Sequence, residues 1–88
     1  MLGFTRVSAV STSQTTAINA GTLVVVNDGS NEVYVSVFWE GESSAVATTS
    51  SAEIKSGESF TFTRELSISA ISIVCASGET ATVRLFYW

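Results

Sequence analysis

Residues that favour β-structure alternate along almost the whole of this chain at a period of two, and the alternation is cut by glycine turns. That period sends successive side chains to opposite faces of a pleated strand, so it specifies sheets with one buried face. The chain has no histidine, no proline and one cysteine. These absences remove most of the side chains used for acid–base, metal and nucleophilic chemistry. The pattern is that of a surface-making protein.

Several segments carry the alternation. Thr22–Asn27 places Leu23 and Val25 on one face and Val24 and Val26 on the other. Apolar residues on both faces imply burial on both sides, or one face meeting a neighbouring molecule. Asp28-Gly29-Ser30-Asn31 supplies small polar residues suited to a hairpin into Val33–Trp39, where Val33, Val35, Val37 and Trp39 share the expected core face. Glu40–Ser44 reads as an exposed acidic loop, and 45–54 holds at most one irregular strand. Ser56-Gly57-Glu58 turns the chain into Ser59–Arg64, with Phe60 and Phe62 expected to face inward. Ile68–Ala76 is more continuously apolar, and Ala76-Ser77-Gly78-Glu79 gives a second hairpin signal before Thr80–Trp88. Six to eight short strands at this spacing predict an all-β fold, a small antiparallel β-sandwich or barrel of jelly-roll or Ig-like type. Residues 1–16 form an extended N-terminal arm or edge strand and 17–88 a single sandwich domain.

A chain of 88 residues buries roughly 60–65% of the surface its unfolded form exposes, so added subunits would supplement a modest core. Cys75 lies in the apolar run Ile73–Ala76 and reads as a small core residue with no bridging partner. Eight acidic against four basic residues give a net charge of −4, which opposes nucleic-acid binding. The longest apolar runs are far shorter than the roughly 20 residues of a spanning helix, and the N-terminus lacks a secretory signal pattern. Synthesis in a cytoplasm, with no membrane partner, is the expectation. No nucleophile–base spacing occurs, and Asp28, Asn31 and Glu32 match no calcium loop. No cofactor and no catalytic or metal-binding residue is therefore expected.

The aromatic residues are more numerous than a small sheet readily hides, because Phe38-Trp39 and Phe86-Tyr87-Trp88 put rings on both faces. With the strand-capable arm, they nominate Phe4, Val24, Val26, Phe38, Trp39, Phe86 and Trp88 as a protein interface.

Four stretches, Val26–Val35, Ile54–Phe60, Ile68–Ile71 and Ala76–Arg84, resemble small virion proteins of tailed bacteriophages. Those proteins carry an N-x-x-x-N-x-V-Y-V hairpin, a Gly-Glu-Ser turn and a terminal A-S-G-x-x-x-x-V-R strand. The resemblance departs at Lys55-Ser56, where such proteins often have proline, and at the aromatic C-terminus. It implies a non-enzymatic late structural protein, foremost a capsid decoration or cement subunit located in the virion. Its partners would be further copies of itself, in symmetric oligomers, and a major capsid or other virion protein. The alternative expectation is a tail-associated or receptor-binding module, with Trp39 and Trp88 stacking on a glycan.

Overall fold

The computed structural model describes residues 2–88, all-β and without helix among them. Six strands run in chain order: β1 Gly3–Ala9, β2 Gln14–Asn27, β3 Val33–Trp39, β4 Ala52–Ile54, β5 Ser59–Val74 and β6 Ala81–Tyr87. They form one antiparallel sheet in the order β1-β6-β2-β5-β3-β4. The segments expected at Ser59–Arg64 and Ile68–Ala76 are one continuous strand. Residues 3–9, assigned above to an arm or edge strand, are the sheet's edge strand, paired with β6 from Gly3↔Tyr87 to Ala9↔Ala81.

The two long strands, β2 and β5, give the sheet its shape. Their pairing is regular from Gln14↔Ile73 to Ala17↔Ala70 and again from Thr22↔Thr63 to Val26↔Ser59, but the register shifts between. Asn19 adopts a left-handed conformation, with φ at 55°, inside that irregularity. Extra unpaired residues bend a ladder and sharpen its twist. The burial parity also switches there: Ile18 faces the core before the bend, and Leu23, Val25 and Asn27 face it afterwards. The sheet therefore curls into two halves. One joins β1, β6, the second half of β2 and the start of β5; the other joins the first half of β2, the rest of β5, β3 and β4.

The core lies between these halves, with Leu23, Val25, Val83 and Leu85 on one side and Val33, Val35, Ile71 and Ile73 on the other. Two contacts tie the halves together. Cys75 N–H donates to the Val10 carbonyl at 2.8 Å, and the buried Asn27 amide donates to the Asn31 and Ile54 carbonyls at 2.9 and 3.0 Å. Asn27 Oδ1 accepts from Gly29 N–H at 2.9 Å, so the whole side chain is bonded inside the core.

Three sequence expectations are corrected. Thr22–Asn27 and Val33–Trp39 do not form a hairpin, because β5 lies between them and the 28–32 connection crosses from one half to the other. The Gly78 turn likewise joins β5 to β6, which are not paired, although Gly78 has the left-handed φ of 79° that a turn glycine supplies. Phe60 lies on the inward face, opposite buried Val25, as expected, yet it is 55% exposed instead of covered. It shares a face with Phe62, but β3 pairs β5 only from Ile68 onward, so Ser59–Thr63 forms an open margin. At Gly29 the demand for glycine is space: a Cβ there would stand 2.6 Å from the Ala81 Cβ and 2.8 Å from its Cα.

Candidate protein-interaction face

The outward face of the β1-β6-β2 half builds up from register alone. Phe4 lies opposite Phe86, and Phe86 lies opposite Val24. One step along, Arg6 lies opposite Arg84, which lies opposite Val26. Directly paired residues share a face, so these six side chains form two adjacent rows. Phe4 and Phe86 are in contact, with ring centroids 5.0 Å apart and planes tilted by 47°. The Arg6 guanidinium lies 5.6 Å from the Phe4 ring centre and that of Arg84 5.7 Å from the Phe86 ring centre. Leu2 and Trp88, at the ends of the neighbouring strands, are 62% and 54% exposed, and Phe4 is 48% exposed.

Charge on this face is unevenly matched. Arg84 donates from Nε and from one terminal nitrogen to the two oxygens of Asp28, the latter at 3.0 Å, a bidentate arrangement that holds its guanidinium firmly protonated. Arg6 lies over an aromatic ring.

The outward face of the other half is covered along the end of β5. Ser72, wholly buried, accepts a hydrogen bond from Ala47 N–H at 2.8 Å, which holds the 40–51 connection over β5. Val74, two residues on, is also buried. The sheet thus has one outward face partly protected by its own loop, at Ser72, and one without such a loop.

Five of the seven interface residues nominated from sequence, Phe4, Val24, Val26, Phe86 and Trp88, lie on or at the end of the open half. The other two lie elsewhere. Phe38 is half-buried on β3, with its carbonyl bonded by the Ser69 hydroxyl. Trp39 packs against the core rim, with the Arg64 guanidinium 4.8 Å from its ring centre. Arg64 also forms a bidentate pair with Glu42 at 2.8 and 3.0 Å, which holds the Glu42 carboxyl below its usual range. This group belongs to the loop that covers the second half. Reasoning from sequence missed Leu2 and Arg6. Arg6 shares a face with Phe4 by the period of two within β1, but the register that aligns it with Arg84 is a tertiary property.

No family model matches the chain, and no curated protein matches it. Solved structures do. The chain is similar to the hydroxypropylphosphonic acid epoxidase from S. wedmorenis in complex with fosfomycin, at 12% identity and a TM-score of 0.64, over 99% of this chain and 43% of that one. It is similar to the same enzyme's iron(II) form at 14% identity and the same TM-score. The Drosophila melanogaster CENP-C cupin domain matches at 17% identity and a TM-score of 0.58, over 97% of this chain and 58% of that one. The chain therefore spans about half the length of these structures and shares with them a cupin-like fold.

This likeness corrects the expectation of a bacteriophage virion protein. Neither the capsid decoration reading nor its tail or glycan-binding alternative is supported, because the short turn motifs behind the resemblance occur here in a cupin-like sheet. Gly-Glu and Asn-Asp-Gly turns follow from local backbone chemistry and recur across unrelated β-folds.

The epoxidase's iron(II) form raises the question of whether this chain has ligands for such a metal. Imidazole and carboxylate ligands suit iron, typically as two histidines and one carboxylate. This chain has no histidine, and among its described residues no three cysteine or acidic side chains cluster where they could hold an ion. Cys75 is buried, and burial pushes its thiol pKa up, away from the thiolate that binds metal. These residues do not fit a cupin-type metal centre.

Proposed function

We propose that this domain is a non-enzymatic cupin-like module that works by binding protein surfaces, with further copies of itself as its first partner. The open outward face of β1, β6 and β2 carries this reading, since it sets exposed Leu2, Phe4 and Trp88 beside half-buried Val24, Val26 and Phe86. Clustered exposed apolar residues rimmed by polar groups mark interaction sites on soluble proteins. Aromatic residues and arginine are enriched at the centres of such interfaces. The donor chemistry supports the same conclusion, because the side chains that would hold a catalytic metal in a related fold are missing.

The curl of the sheet supports a finer description, a closed two-layer barrel of jelly-roll type whose inner space is filled by side chains. The Cys75–Val10 and Asn27–Ile54 contacts would be its closing ties. A filled barrel leaves its outer surface for function.

Size-exclusion chromatography with light scattering tests the proposal. The native chain should run above its 9.3 kDa monomer mass, and a Phe4→Ser/Trp88→Ser variant should run as a monomer. A native chain that stays monomeric and binds no hydrophobic dye would overturn it.

A further inference from the structure

We infer that the β1 edge pairs with the β1 edge of a second copy, antiparallel, about a two-fold axis through Thr5. The inference rests on the protein-binding reading above and names the partner and the register.

The sheet's margins differ in how they are guarded. Natural proteins blunt free edges with short strands, charge, proline or bulges. β4 is only three residues long and carries Glu53. The Ser59–Thr63 margin is flanked by Glu58 on one side and Arg64 and Glu65 on the other. β1 has none of these devices. Its seven residues pair with β6 in unbroken register, it contains no proline, and its one charge, Arg6, lies on the sheet face beside Phe4. A regular strand of this length presents a row of backbone donors and acceptors to a partner of the same kind.

Charge complementarity selects the register. A two-fold axis normal to the sheet must pass through a residue paired with its own copy, which keeps both aromatic faces on the same side. Centred on Arg6, the pairing sets two guanidinium groups directly opposite each other, which is unfavourable. Centred on Phe4, it engages only residues 2 to 6. Centred on Thr5, it engages residues 2 to 8 and sets Phe4 of each copy opposite Arg6 of the other. Arg6 already lies over a phenylalanine ring within one chain, so the dimer repeats that contact across the seam. The apolar row of one copy then continues into the cationic row of the next.

A single strand pairing is a small interface, near the weak end of those below about 1,200 Å². The dimer is therefore expected to dissociate on dilution.

Sedimentation velocity across a concentration series, with the full chain, should show a reversible monomer–dimer equilibrium. Single cysteines read the register. Directly opposed residues have Cα atoms about 4.5–5.5 Å apart, within disulfide range, so Thr5→Cys should give a disulfide-linked dimer under mild oxidation. Arg6→Cys should not, because its two copies would stand about 8 Å apart along and across the strands. A chain that is monomeric throughout the series overturns the inference, as does cross-linking at Arg6→Cys in preference to Thr5→Cys. If the native chain self-associates, Trp88→Ser abolishes this, and Thr5→Cys does not cross-link, the edge inference fails while the face-binding proposal stands. A monomer that also binds no hydrophobic dye sinks both.

Discussion

Phe4 and Phe86 pack against each other across the first and last strands, with ring centroids 5.0 Å apart, on a face that leaves Phe4 about half exposed. The contrast with Ser72 is instructive. That residue faces outward from β5, yet it is wholly buried, because the 40–51 connection folds over it and bonds it through Ala47. A loop is thus used to shield one outward face while rings are left on the other.

Replacing both rings, Phe4→Ser with Phe86→Ser, is expected to lower stability by about 2–3 kcal/mol, about 1 from the ring pair and the rest from the lost burial of half-covered Phe86. Binding of a hydrophobic dye should fall sharply in the same variant. Thermal melts followed by circular dichroism, alongside dye fluorescence, check both. A large loss of stability would mean that the face is structural.

Asn27 sits at the opposite extreme. Its side chain satisfies the Asn31 and Ile54 carbonyls and the Gly29 N–H with no access to water. Asn27→Ala leaves those groups unpaired, at a cost of about 2 kcal/mol or more. In a domain of this size that is a fall in melting temperature of roughly 10 °C. Urea denaturation should show a lower midpoint with an unchanged slope.

The β3–β4 margin should respond to pH. Glu53 lies opposite Tyr34, and the Tyr34 hydroxyl donates to Glu32 at 3.2 Å. A hydrogen bond from Glu53 holds the Glu32 carboxyl below the ordinary 4.5, while the same bond to Glu32 raises that of Glu53. The signs oppose. The contribution of Glu32 is present above its unfolded pKa and is lost as pH falls through its lowered folded value. That of Glu53 is full below its unfolded pKa and is lost as pH rises through its raised folded value. The pair therefore stabilises the margin most when it shares one proton, at a pH between the lowered value of Glu32 and the raised value of Glu53. Glu53→Gln keeps a donor toward Glu32 without the second charge, so its melting temperature should exceed that of the native chain at neutral pH and converge with it in acid. Melts across that range measure the difference, and a constant offset would refute the coupling.

Cys75 should be silent to thiol reagents in the folded chain. It is buried beside Ala9, whose carbonyl its thiol approaches at 3.7 Å, and burial disfavours its reactive thiolate form. Labelling with a disulfide reagent should therefore follow the unfolding curve in denaturant. Rapid labelling under native conditions would show that the β1–β5 contact opens locally.

Much of the fold was legible in sequence because alternation is a local property. The buried faces of Val33 and Val35, of Val83 and Leu85, and the burial of Cys75 all follow from period and side-chain type. So does the surplus of apolar residues at Val24, Val26 and Phe86, whose strands are apolar on both faces. Phe38 and Trp39, also nominated from sequence, both lie on β3, away from the open half, and Trp39 packs against the core rim and Arg64.

Sequence by itself determined that this chain makes strands, which side chains each strand turns inward, and that it lacks the imidazoles of a metal centre. The choice of partner strands belonged to the tertiary structure alone. The turns at Asn27–Asn31 and Ala76–Thr80 look like hairpins, but a turn constrains only its own backbone, whereas pairing is decided by which strands can close a common core. The bend in β2 and β5 sends those connections across the curl, lays the 40–51 loop over part of one half, and leaves Phe4, Phe86 and the β1 edge ahead of Ala9 open on the other.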